Sequence, residues 1–337
     1  MAAKESFQIN PRPANIEYRN LSVRPNPALT NGEVTVNATV ANLGDKPGEF
    51  AAKLQIDANV YQSTSGTLQG GETRHVSFTL APGTLGAGNH TVTVTGAGPA
   101  QLQIEEAAPR LETNRTAIDY GEVQATPTVE ATKTRHVRIT NNGTATLDIG
   151  SIGLTGAAVD QFEITTGDAP TSLAPNESTV VGVTYQPTER GDATAHLEIQ
   201  SNDAGSPATL TLAGTGVAPA LDLKTPGPLD VGTVDAGKGE TNTTQITVAN
   251  AGNKSLTVSA AISQSLSATP DAFTITSDAD QQLGAGESAT ITVEFAPSTG
   301  GRKSAAVRLT TNDPFDANRT VRIGGTAQVV SLGVSQA

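Results

Sequence analysis

Apolar and polar residues alternate with a period of two along most of the chain. The runs Glu33-Val-Thr-Val-Asn-Ala-Thr-Val40, Arg135-His-Val-Arg-Ile139, Val180-Val-Gly-Val-Thr-Tyr185 and Ala289-Thr-Ile-Thr-Val-Glu-Phe295 all show it. Successive strand side chains point to opposite faces, so this pattern predicts strands with one buried face. Gly, Pro, Asn and Asp fill the gaps between runs, as turns require. Helical spacing is nearly absent; the one weak candidate is Gly156-Ala-Ala-Val-Asp-Gln-Phe162, about two turns long. Short alternating strands punctuated by turns predict an all-β protein built of antiparallel sandwiches.

The pattern repeats. Asn-x-Gly closes an alternating run at Asn42/Gly44, Asn141/Gly143 and Asn250/Gly252. A second block, Leu followed by Glu and then Ser or Thr, recurs as Leu68…Glu72-Thr73, Leu173…Glu177-Ser178 and Leu283…Glu287-Ser288. The last two repeats also share Asp119-x-Gly121-x-Val123 with Asp230-x-Gly232-x-Val234, Tyr185-x-Pro187 with Phe295-x-Pro297, Asn202-Asp203 with Asn312-Asp313, and Gly214-Thr215 with Gly325-Thr326. Repeats of this length predict three tandem immunoglobulin-like domains. The expected division is an N-terminal arm at 1–19, sandwiches at 20–107, 108–218 and 219–328, and a C-terminal tail at 329–337. The joints Glu106-Ala-Ala-Pro109 and Gly216-Val-Ala-Pro219 are short and end in proline. Proline fixes φ and removes a donor, so stiff joints and a rod are expected.

Composition narrows the functional classes. With 33 acidic against 21 basic residues the net charge is −12, which argues against a nucleic-acid surface. The absence of cysteine excludes a disulfide scaffold and cysteine-ligated metal sites. No apolar run reaches the ~20 residues of a membrane-spanning helix. Arg outnumbers Lys in this acidic chain, and an acidic, Lys-poor surface is one route to solubility in concentrated salt. No secretory leader is recognisable at the start of the sequence.

Catalytic candidates are few. His75, His136 and His196 lie in strand-like runs and His90 follows a glycine turn; none neighbours an acidic residue at ligand spacing. The Asn-Asp pairs at 202–203 and 312–313 suit either turns or calcium, and their recurrence at one strand end favours turns. Nine Asn-x-Ser/Thr sequons begin at Asn20, Asn37, Asn89, Asn114, Asn142, Asn176, Asn242, Asn253 and Asn318; their use would require export. Phe7, Ile9, Ile16 and Tyr18 in the arm are the candidate partner-binding residues, because an extended arm can add as a strand to a neighbouring sheet.

The first domain resembles a CARDB domain, a cell-adhesion-related module. The residues that carry this are Leu21-x-Val23…Pro27, Gly32-Glu33, Val40-x-Asn42-x-Gly44, Leu68-x-x-Gly71-Glu72 and Gly88-Asn-His-Thr-Val92. The second and third resemble the choice-of-anchor D or ASPM–SPD-2–Hydin-like immunoglobulin repeat, through the motifs quoted above. Such modules imply adhesion, spacing or presentation, with no catalysis and no cofactor. The leading expectation is a virion-surface protein of a tailed virus of a halophilic host: a capsid turret, decoration or tail-associated spacer. Its expected partners are copies of itself in a symmetric oligomer, other virion or surface-layer proteins, and host-surface proteins or glycans, with no nucleic acid and no membrane insertion. The alternatives are a cell-surface or S-layer-associated adhesin, and a non-catalytic module of a secreted hydrolase.

Overall fold

The structure is a computed structural model that describes residues 10–128 and 131–329. The first domain contains β1 (Ile16–Arg24), β2 (Ala28–Leu29), β3 (Val34–Asn42), β4 (Gly48–Ile56), β5 (Asn59–Leu68), β6 (Thr73–Leu80), β7 (Gly88–Val94) and β8 (Ala100–Glu105). The second contains β9 (Leu111–Thr113), β10 (Ala117–Gln124), β11 (Lys133–Asn141), β12 (Leu147–Thr155), β13 (Phe162–Thr166), β14 (Thr171–Leu173), β15 (Ser178–Tyr185), β16 (Gly191–Ser201) and β17 (Ala208–Val217). The third repeats this with β18 (Leu221–Leu223), β19 (Leu229–Asp235), β20 (Asn242–Asn250), β21 (Leu256–Ile262), β22 (Phe273–Ile275), β23 (Asp280–Leu283), β24 (Ser288–Phe295), β25 (Gly301–Thr311) and β26 (Asn318–Gln328).

Each domain is two facing sheets. In the first, β1-β3-β6 faces β2-β8-β7-β4-β5. In the second, β10-β17-β16-β12-β14 faces β13-β15-β11-β9, and the third has the same order strand for strand. The sheets are antiparallel with one exception per domain: β2 with β8, β10 with β17 and β19 with β26 pair parallel. The early part of each domain visits both sheets, and its second piece runs alongside the last strand.

Two boundaries differ from the expectation. The first sandwich begins at Ile16, not at residue 20, so Ile16 and Tyr18 belong to β1 and not to an arm. The helical candidate at 156–162 is a single 3-10 turn, Val159–Gln161, before Phe162 re-enters the sheet.

Alternation is realised where one face is covered. In β16, Ala193, Ala195, Leu197 and Ile199 are buried while their neighbours are not. The second core holds an aromatic group, with Tyr120, Phe162 and Tyr185 centroids 4.9–5.6 Å apart. The third keeps only Phe273 stacked on Phe295, at 4.9 Å. The repeated Gly-Thr motif serves these rings. A Cβ on Gly214 would lie 2.5 Å from the Tyr185 ring, and one on Gly325 would lie 2.7 Å from Phe295. Glycine is therefore required where the last strand crosses the aromatic ring. The Asp-x-Gly motif makes a bulge: Gly121 and Gly232 take φ of 62° and 79°, and their N–H groups donate to Asp119 and Asp230 at 2.7 and 2.9 Å. The parallel register shifts there, as a bulge demands.

Gly325→Ala should overpack the third core and lower its stability by about 1–3 kcal/mol. Thermal unfolding of the full chain checks this, with Gly324→Ala, whose added Cβ meets nothing closer than 3.4 Å, as the milder comparison.

Candidate functional site

The repeated motifs converge on one structure, a socket that holds the chain entering each domain. Its centre is a buried asparagine: Asn42, Asn141 and Asn250 are 1%, 0% and 1% exposed. In the second domain the Asn141 Oδ1 accepts from the N–H of Gly143 at 2.9 Å and of Arg110 at 3.3 Å. Its Nδ2 donates to the carbonyls of Ala145 at 2.8 Å and Leu173 at 2.9 Å. Asn250 does the same with Gly252 and Ala220, and with Lys254 and Leu283. Asn42 does so with Gly44 and Asn15, and with Lys46 and Leu68. Every donor and acceptor of the amide is used.

The Leu…Glu motif is the other wall. The N–H groups of Asn42, Asn141 and Asn250 donate to the carbonyls of Glu72, Glu177 and Glu287 at 2.9 Å. The same glutamates turn their carboxylates back onto the N–H groups of Gln69, Ala174 and Gly284 at 2.7–2.8 Å. The Gly of Asn-x-Gly is the floor. A Cβ on Gly44, Gly143 or Gly252 would sit 2.0, 2.4 or 2.3 Å from the carbonyl oxygen of Pro13, Ala108 or Ala218. The entering segments Pro13-Ala14-Asn15, Ala108-Pro109-Arg110 and Ala218-Pro219-Ala220 thus occupy equivalent positions.

The two joints differ in what surrounds the socket. Between the first and second domains, Asn31 donates to the Thr144 carbonyl at 2.8 Å, and the Ala107 N–H donates to Thr30 Oγ1 at 3.0 Å. Between the second and third, Arg190 reaches across. Its Nη2 and Nε donate to the Pro219 carbonyl at 2.7 and 3.1 Å, and it pairs with Asp313. Its guanidinium carbon lies 4.2 Å from the Phe315 ring centroid. Asp313 is almost wholly buried and also accepts from the N–H groups of Leu221 and Phe315. Lys254 adds an exposed pair with Glu122 at 2.5 Å. Asp203, the second domain's counterpart of Asp313, accepts from Leu111 and Gly205 but has no ion pair among the described residues.

Of the predicted partner-binding residues, the structure describes Ile16 and Tyr18. Ile16 and Tyr18 pack against the first domain's own core, and the Tyr18 hydroxyl accepts from the Ala51 N–H at 3.0 Å. These two side chains are committed within the chain, because β1 completes the sheet beside β3. Arg12, in the same entering segment, pairs with Asp45 at 3.1 Å, holding that exposed carboxyl below its usual range by hydrogen bonding. Phe7 and Ile9 lie outside the described residues.

The remaining candidates have structural partners. Asn202 Oδ1 accepts from Asp148 and its Nδ2 donates to the Thr146 carbonyl; Asn312 does the same with Thr257 and Ser255. The Asn-Asp pairs are clips between strands, in keeping with the turn reading. Among the described residues no group of three or more His, Asp or Glu could hold a metal. Burial pushes the Tyr120 and Tyr185 phenols up to about 12, and both are core side chains.

One pair was invisible in sequence because 33 residues separate its members. His90 Nδ1 lies 2.7 Å from Asp57 Oδ2, and its Nε2 lies 2.9 Å from the Gly86 carbonyl. The bond to Asp57 raises the imidazole above its ordinary 6.5, and the same bond lowers the Asp57 carboxyl. Asp57 sits in the two-residue turn between β4 and β5 with φ of 50°.

Family comparisons agree with this architecture. The model described as HYDIN/CFA65/VesB-like, Ig-like domain matches residues 109–215 and 219–326. The chain belongs to that family. A CARDB model matches residues 16–102. Among solved structures, the chain is similar to a protein of unknown function from Porphyromonas gingivalis W83, at 16% identity, covering 64% of this chain and 99% of that one, with a TM-score of 0.27. It is also similar to the human CEP192 ASH/PapD-like domain 7 (16% identity; 33% of this chain, 87% of that; TM-score 0.25) and to a CARDB domain of Pyrococcus furiosus (15%; 27% and 94%; 0.23). No curated protein matches the chain. The CARDB and Ig-like domains suggest a non-enzymatic binding or structural module.

Two outcomes follow from the geometry. Arg190→Ala should lower stability by about 1–3 kcal/mol, since it strips a nearly buried carboxylate of its cation, whereas Lys254→Ala should change it by less than about 1 kcal/mol because that pair is exposed; thermal melts of the two variants compare them. The His90 ring should titrate above 6.5 by NMR and return toward that value in Asp57→Asn. A raised folded value means the pair's contribution is full below 6.5 and fades as pH rises through the His90 midpoint. It also fades in acid, as Asp57 protonates.

Proposed function

We propose that this chain is a spacer: a non-enzymatic structural protein that holds modules in a set order and orientation for display. The observation that carries this reading is the socket. The same asparagine corner grips the segment entering each domain, so both joints are held by side chains as well as by proline. Such joints favour a rod over beads on a flexible string.

Within that reading, the place of display is the outer surface of a particle, a virion of a tailed virus of a halophilic host. The support is compositional: a net charge of −12 with few lysines suits a surface kept soluble in strong salt. Small-angle scattering on the full chain tests the spacer itself. Three sandwiches in line should give a longest dimension of roughly 100–120 Å, and a compact particle would overturn the reading. Fractionation with mass spectrometry tests the place: recovery with purified virions supports it, and recovery only with the cell envelope replaces it with a cell-surface adhesin.

A further inference from the structure

We propose that β5 of the first domain is a self-pairing edge, through which two copies of this chain join their five-stranded sheets across a two-fold axis. This goes beyond the spacer reading and does not depend on where the chain is displayed.

The strand is unusual among its peers. It is ten residues long, Asn59-Val-Tyr-Gln-Ser-Thr-Ser-Gly-Thr-Leu68, and among the described residues it pairs on one side only, with β4. Every other edge strand among the described residues is four residues or shorter, or carries a charged residue. The counterparts that end the five-stranded sheets in the other domains are trimmed: β14 has three residues and β23 has four. Long edges are normally blunted by charge, proline or brevity. None of the three protects β5 from Gln62 to Leu68, where its register with β4 is regular.

The chemistry selects the occupant. In a two-fold antiparallel pair each strand meets its own sequence, so any charge near the axis would face its like. β5 has no charge, although the chain carries −12. Its central residues are Gln, Ser and Thr, and Ser/Thr pairs across strands are favourable. Val60 and Tyr61 at one end are 56% and 42% exposed and lie beyond the regular stretch, whose midpoint, Ser65, faces its own copy across the axis. The Gln62 side chain donates to the Thr79 carbonyl on β6 at 2.7 Å. It closes the sandwich beneath the edge, and among the described residues nothing pairs with the other side of the strand.

Sedimentation equilibrium of the full chain reads the result. Wild type should dimerise, and more strongly in high salt, where repulsion between two acidic copies is screened. Ser65 lies on the exposed face opposite Ala51, so substitution there should leave the fold intact, which circular dichroism verifies. Ser65→Glu and Ser65→Lys should each weaken the dimer by at least about tenfold, because self-pairing sets like beside like whatever the sign. A wild type that stays monomeric overturns the proposal. So does a dimer indifferent to both variants. So does a dimer that Ser65→Lys strengthens, since general charge reduction would then explain it.

Discussion

The structure depends on three buried side-chain amides. Asn42, Asn141 and Asn250 each supply two donors and two acceptors to backbone groups at strand ends and in the entering chain. A buried amide left unpaired costs far more than a satisfied one returns, so the corner works only when all its members are present. The glycine two residues on admits the incoming chain, the leucine carbonyl and the glutamate backbone close the far side, and the linker donates the last hydrogen bond. The joint between domains is therefore part of the domain that follows it. Orientation is set where the chain enters, and the arrangement is the same in a CARDB domain and in two Ig-like repeats, which keep its strand order and add one strand to the smaller sheet.

Around that shared corner the joints are specialised. The second joint adds Arg190, which satisfies the linker carbonyl, neutralises Asp313 and covers Phe315. The first joint has a hydrogen bond from Asn31 to the Thr144 backbone and, among the described residues, no ionic counterpart around Asp203. One joint thus carries a charged clasp and the other neutral contacts. At the start of the chain, Pro13-Ala14-Asn15 fills the first socket just as the linkers fill the others, which is why Ile16 and Tyr18 serve the first domain's own sheet.

Much of the fold was legible in sequence, since burial of one sheet face imposes alternation, and the corner imposes Asn-x-Gly and Leu…Glu at fixed offsets. The motifs could be counted before their meaning was known. Spacing alone does not say that Asn141 and Glu177 are two walls of one socket, because their contact is made across a turn of the sandwich. Three features were not legible. The parallel pairing of β10 with β17 depends on how the chain enters the sheet. The Asp57–His90 pair joins a hairpin turn to a distant strand. The Arg190 clasp crosses a domain boundary, and Arg190 itself has no repeated counterpart to draw notice. The β1 residues Ile16 and Tyr18 were misassigned to an arm because a strand that starts before the first repeated motif looks like a leader.

The socket is tested most directly by backbone hydrogen exchange in Asn141→Ala. The account predicts that the amides of Gly143 and Arg110, which donate to the Asn141 side chain in the wild type, exchange much faster in the variant, while the equivalent amides of Gly252 and Ala220 at the Asn250 socket keep their protection. Unchanged protection at Gly143 and Arg110 would contradict it, for the linker would then be held by something other than the asparagine.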